Sequence, residues 1–99
     1  MFGKLNEARQ KAEEIKQRLE TITVTGEAEN GAVKVVATGN KRIKDIIIDD
    51  RMMADKEQLQ DVLTVAVNRA LEQADKVSES EMSAIASQLL PGLGNLFGK

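Results

Sequence analysis

The stretch from Ile22 to Asp49, ITVTGEAENGAVKVVATGNKRIKDIIID, alternates β-forming residues with polar ones and is broken by turn signals at Glu29-Asn30-Gly31 and Gly39-Asn40. A period of two sends successive side chains to opposite faces of a strand, so the pattern predicts three short strands joined by tight turns. Asn-Gly between two such runs is a strong hairpin signal. Ile22 and Val24 alternate with threonines in the first strand, and Gly26 reads as a bulge or turn residue. Val33, Val35 and Ala37 alternate with Lys34, Val36 and Thr38 in the second. Ile43, Ile46, Ile47 and Ile48 mark a third strand that is expected to be partly buried on both faces. So small a sheet can have one face covered by helices, and the other then calls for a second subunit.

Helical patterns flank this block. From Lys4 to Glu20, Leu5, Ala8, Ala12, Ile15 and Leu19 recur at alternating spacings of three and four, which is a heptad seam on one helical face. With Leu5 at position a, the cations Lys4, Arg9, Lys11, Lys16 and Arg18 all fall at e or g, beside the seam. The acids Glu7, Glu13, Glu14 and Glu20 fall at b or c, farther round. Two copies paired through this seam would oppose like charges, so the stripe is expected to pack on another element instead. The cations have two readings. Their methylene stems cover the stripe while the charged heads reach water, or the heads meet phosphate.

Lys41, Arg42 and Lys44 form a second cation-rich patch, near Lys34. Basic residues at a hairpin end also serve to keep the turn soluble and to blunt an edge strand. Arg51–Ala54 reads as a short helical turn, and a second long helix starts near Asp55, its N-cap, with Gln58 at capping-box spacing. Leu59, Val62, Leu63, Ala66, Val67, Ala70, Leu71, Ala74 and Val77 give it an apolar face wide enough for both the sheet and another helix. Ser78, Ser80 and Ser83 weaken the propensity there, which places a candidate break near Ser78–Ser80. Pro91-Gly92 ends the helix, and residues 92–99 read as a flexible glycine-rich tail of one domain spanning residues 1–99.

Composition excludes much chemistry. The 99 residues hold no His, Cys, Tyr or Trp, and carry a net charge of −2. The commonest general base and the aromatic platforms for stacking single-stranded bases are therefore missing. Without cysteine there is neither a disulfide framework nor thiolate chemistry, which fits a reducing compartment. No apolar run approaches the ~20 residues that span a bilayer, and no signal-peptide core is seen, so the cytoplasm is the expected location and no membrane partner is expected. Asp49, Asp50 and Asp55 resemble a Mg²⁺ cluster, but acids before and at a helix start cap its amides and complement its dipole. The glycines form no phosphate-cradling loop. No enzyme, catalytic residue, metal, cofactor or small-molecule substrate is expected. Because the chain is not basic overall, nucleic-acid binding would need locally grouped cations.

Val24-Thr25-Gly26, Gly31, Val33-Lys34-Val35, Gly39 and Ile46-Ile47-Ile48-Asp49 together resemble the β core of the YbaB/EbfC family of nucleoid-associated proteins. The resemblance continues through Asp55-Lys56-Glu57, Leu59, Asp61, Ala66, Asn68 and Ala70, and extends to MFGK at the start and Leu90-Pro91-Gly92 near the end. It implies an α+β fold of helix, three-stranded antiparallel sheet and long helix, assembled into a tweezers-like homodimer. It also implies binding of double-stranded DNA with a change in DNA conformation, and roles in nucleoid organisation and gene regulation. The family resemblance maps no short contact motif onto this chain. Charge placement nominates Lys4, Arg9, Lys11, Lys16, Arg18, Lys41, Arg42 and Lys44 as the DNA contacts. The competing reading is a dimeric protein-interaction scaffold, motivated by the acidic balance and the wide apolar face of the second helix.

Overall fold

The structure, a computed structural model, describes residues 2–89, apart from the side chains of Phe2, Lys4, Gln88 and Leu89. The expected tail, 92–99, lies outside the described residues. The order is α1 (Phe2–Thr21), β1 (Thr23–Ala28), β2 (Val33–Thr38), β3 (Ile43–Ile48), a short 3₁₀ helix (Asp50–Ala54) and α2 (Lys56–Leu89). The strands form an antiparallel sheet in the order β1-β2-β3, and the molecule is elongated, 61 × 28 × 16 Å.

Local chemistry accounts for the joints. Between β1 and β2, Glu29 and Asn30 both take φ of 55° and Gly31 takes 82°. This left-handed run suits Asn and Gly, and it gives the hairpin that the dipeptide predicts. Between β2 and β3, Lys41 rather than Asn40 takes the positive φ, 67°. The buried Thr38 Oγ accepts the N–H groups of Asn40 and Arg42 at 3.1 and 3.3 Å, which holds that turn closed. Asp55 Oδ1 accepts the Gln58 N–H at 3.1 Å, and Asp49 Oδ1 accepts the Arg51 N–H at 3.0 Å. Both aspartates therefore act as caps, at α2 and at the 3₁₀ helix.

Ala28, Val33, Val35 and Ala37 on one face of the sheet meet Ala66 and Ala70 of α2, with Met52 closing one end. These alanines let the helix lie very close. A Cβ built on Gly26 would stand 2.2 Å from Ala70 N and 2.3 Å from Ala66 O. Gly26 is thus neither a turn nor a bulge. It pairs regularly with Val35 inside β1, and is small because α2 passes directly over it. Gly39 serves a related purpose for α1: its N–H donates to Leu19 O and Ile22 O, both at 3.0 Å, and an added Cβ would meet the Leu19 side chain at 2.8 Å.

Two further expectations are corrected. Helix α2 runs unbroken through Ser78–Ser80. Serine costs a helix only a few tenths of a kcal/mol, and here Val77 and Ser78 are half-buried where Arg18 of α1 reaches Glu81. Strand β3 is not buried on both faces. Ile43, Ile46 and Ile47 are 43%, 43% and 50% exposed, and only Ile48 packs against the core. Helix α2 lies across β1 and β2 and leaves most of β3 uncovered. Ile46 pairs with Val35 and Ile43 with Ala37, so both belong to the face that α2 covers elsewhere; Ile47, paired with Lys34, looks the other way.

Candidate nucleic-acid interface

Helix α1 touches α2 and β2 through its C-terminal half, where Ile15 and Leu19 are buried. The rest of its seam has no such cover: Leu5, Ala8 and Ala12 are exposed. The expected packing of the stripe therefore holds for its last two members only. Arg9, Lys16 and Arg18, beside the seam, are exposed, and Lys11 is half-buried. The side chain of Lys4 lies outside the description.

The fold joins the two cation patches that the sequence separates. Asn40, in the β2–β3 turn, donates through Nδ2 to Lys16 O at 2.8 Å and to Glu20 Oε2 at 2.7 Å. That latch brings Lys16 and Arg42 onto one open groove of about 460 Å³, which Glu13 and Glu20 also line. Lys44 stands slightly apart. The register slips between Val36 and Ala37, so Lys44 is the extra residue of a bulge facing neither partner.

Carboxylates hold four of the eight nominated cations. Lys11 lies 3.6 Å from Glu14 on the same helix, Arg42 lies 3.7 Å from Glu20, and Arg18 Nε lies 3.1 Å from Glu81 Oε1. Lys41 pairs with Asp75 of α2. Three of these pairs join different elements: the turn to α1, α1 to α2, and the turn to α2. Among the described residues, Arg9, Lys16 and Lys44 have no carboxylate within ion-pair distance. Charge counting along the chain finds the cations but misses their counter-charges. Glu20, Asp75 and Glu81 lie far from their partners in sequence, and only the packing of α1, α2 and the turn reveals them. Two arginines outside the nominated set, Arg69 and Arg51, donate to the carbonyls of Glu27 and Glu29 at 2.7 and 3.3 Å, which ties them to the β1–β2 end of the sheet.

The described residues define a class: an elongated α+β protein of helix, three-stranded antiparallel sheet and long helix, with exposed cations and open grooves on its surface. The chain belongs to the YbaB/EbfC DNA-binding family, whose model matches residues 1–89. A protein of Flavobacterium johnsoniae named nucleoid-associated protein is 42% identical over 100 residues, covering 98% of this chain and 94% of its own. A nucleoid-associated protein of Ruminiclostridium cellulolyticum is 44% identical over 85 residues, covering 82% of this chain and 74% of its own. The crystal structure of an uncharacterized protein from Helicobacter pylori shares the fold, with a TM-score of 0.68 at 22% identity over 77% of this chain and 90% of that one.

Proposed function

We propose that the protein binds double-stranded DNA as a homodimer, through backbone charge and shape rather than base sequence, and alters the conformation of the duplex. Its place would be the nucleoid, in the cytoplasm, with a part in nucleoid organisation and gene regulation, and its work would be binding without catalysis. The observation that carries this reading is the family match across residues 1–89, which takes in both cation patches. The latch at Asn40 supports it by bringing Lys16, which has no carboxylate within ion-pair distance among the described residues, onto one groove with Arg42. Dimer formation is supported by the exposed isoleucines of β3, an apolar surface at a sheet edge that a monomer would be expected to protect. An open groove of about 430 Å³ on α2, with Leu63 and Val67 in its wall, adds to the apolar surface available to a second copy.

The test is a gel shift on mixed-sequence duplexes at a series of salt concentrations, with a chain carrying Lys11→Glu, Lys16→Glu and Arg18→Glu alongside. The wild-type complex is expected to weaken steeply with salt, and the triple reversal to lose it at moderate salt. Unchanged retention by the reversed chain would remove these residues as contacts and leave the scaffold reading ahead.

A further inference from the structure

Arg18, Lys41 and Arg42 each meet a carboxylate from a different element at the junction of α1, α2 and the β2–β3 turn. All three are cations that a DNA contact would use. Both members of the Lys41–Asp75 pair are half exposed, and Arg18 and Arg42 are more exposed still although Glu20 and especially Glu81 are less so, which leaves the cation of each pair open to solvent and to a competing anion. Such pairs are individually weak. They are therefore poor candidates for holding the fold, and well placed to exchange one anion for another.

We propose that Glu20, Asp75 and Glu81 are internal competitors for the DNA phosphates, a built-in counter-charge that limits DNA affinity and flattens its dependence on salt. The inference rests on the DNA-binding reading above. A cation that reaches a phosphate releases about 0.9 condensed counterion from the duplex. When that cation must first leave a carboxylate, added salt also weakens the pair that has to be broken, and this opposes the loss of affinity that counterion release produces. Masked cations thus add little to the salt slope, whereas Arg9, Lys16 and Lys44, with no carboxylate partner among the described residues, contribute in full.

The experiment compares the full-length wild-type chain with one carrying Glu20→Gln, Asp75→Asn and Glu81→Gln, by fluorescence anisotropy on a labelled duplex from 50 to 200 mM salt. A control chain carries Glu57→Gln, Glu72→Gln and Glu79→Gln. It has the same change in net charge at exposed acids of α2 that form no ion pair among the described residues. Unmasking should raise affinity and steepen the slope of log K against log salt by about 0.9 for each cation freed, which is a further loss of about 3.5-fold per cation over that fourfold salt range. The control should keep a slope near that of wild type. Equal slopes in the unmasked and control chains would overturn the masking proposal while leaving DNA binding intact. Absence of binding by all three chains would remove the DNA reading itself, and the masking with it. Thermal melts of the three chains confirm that each is folded at the assay temperature.

Discussion

Replacing Gly26 with alanine tests the close seating of α2 on the sheet. Gly26 does not have a positive φ, so its backbone would accept alanine without strain. On conformational entropy alone the substitution would stabilise the protein by about 0.4–1 kcal/mol. The tertiary structure predicts the opposite sign. The added methyl would stand 2.2 Å from Ala70 N, 2.3 Å from Ala66 O and 2.8 Å from Ala70 Cα. Comfortable separations are about 3.5 Å or more, so the helix would have to retreat by roughly 1 Å. The obstructing atoms are helix backbone and cannot swing aside as a side chain would. A retreat of that size forfeits a quarter to a half of each dispersion contact across the interface. The contacts at stake are those of Ala66, Ala70 and Ala74, all fully buried. Overpacking commonly costs about 1–3 kcal/mol, and a rigid neighbour puts this site at or above the upper end. Against a total stability of about 5–15 kcal/mol, a loss near 3 kcal/mol would move the urea midpoint far to the left. Urea unfolding followed by circular dichroism reads this directly, with an unchanged slope showing that the denatured state is the same. Adding Ala70→Gly should not rescue the variant, because the two closest contacts are main-chain atoms. A neutral or stabilising Gly26→Ala would refute the close approach.

Other outcomes follow from named contacts. Leu19→Ala, at a side chain only 4% exposed, should cost about 2–5 kcal/mol and loosen α1 from the turn at Gly39, read by hydrogen exchange along α1. Asp55→Ala removes the cap on α2 and should cost about 1 kcal/mol by urea unfolding, whereas Asp55→Asn or Asp55→Ser should restore most of it. Ile46→Asp should leave the monomer folded, since the side chain is already 43% exposed, yet shift sedimentation at micromolar concentration from dimer to monomer. A wild-type chain that sediments as a monomer under the same conditions would remove the homodimer altogether.

Periodicity made much of the fold legible. The two-residue alternation around Val33 and Val35, the Asn30-Gly31 hairpin and the three-four spacing of the helices are local signals, set by backbone geometry and side-chain direction. The caps at Asp49 and Asp55 were legible for the same reason, because cap and amide sit within three residues of each other. The role of Gly26 was not. Its neighbour in space is Ala70, and no local rule separates a glycine that makes a turn from one that admits a helix. Nor could sequence reveal that β3 is left open, because that depends on where α2 crosses the sheet. Four isoleucines in a row of six say only that the strand wants cover, not that the chain supplies it.

The charges divide along the same line. Sequence alone determined which cations lie beside the seam of α1 and which cluster at the β2–β3 turn, because heptad position and turn chemistry are fixed within a few residues. Only the tertiary structure decided that Asn40 would bring Lys16 and Arg42 together, and that Glu20, Asp75 and Glu81 would stand against three of the nominated cations. Ion pairing falls off with distance through space and takes no account of separation along the chain.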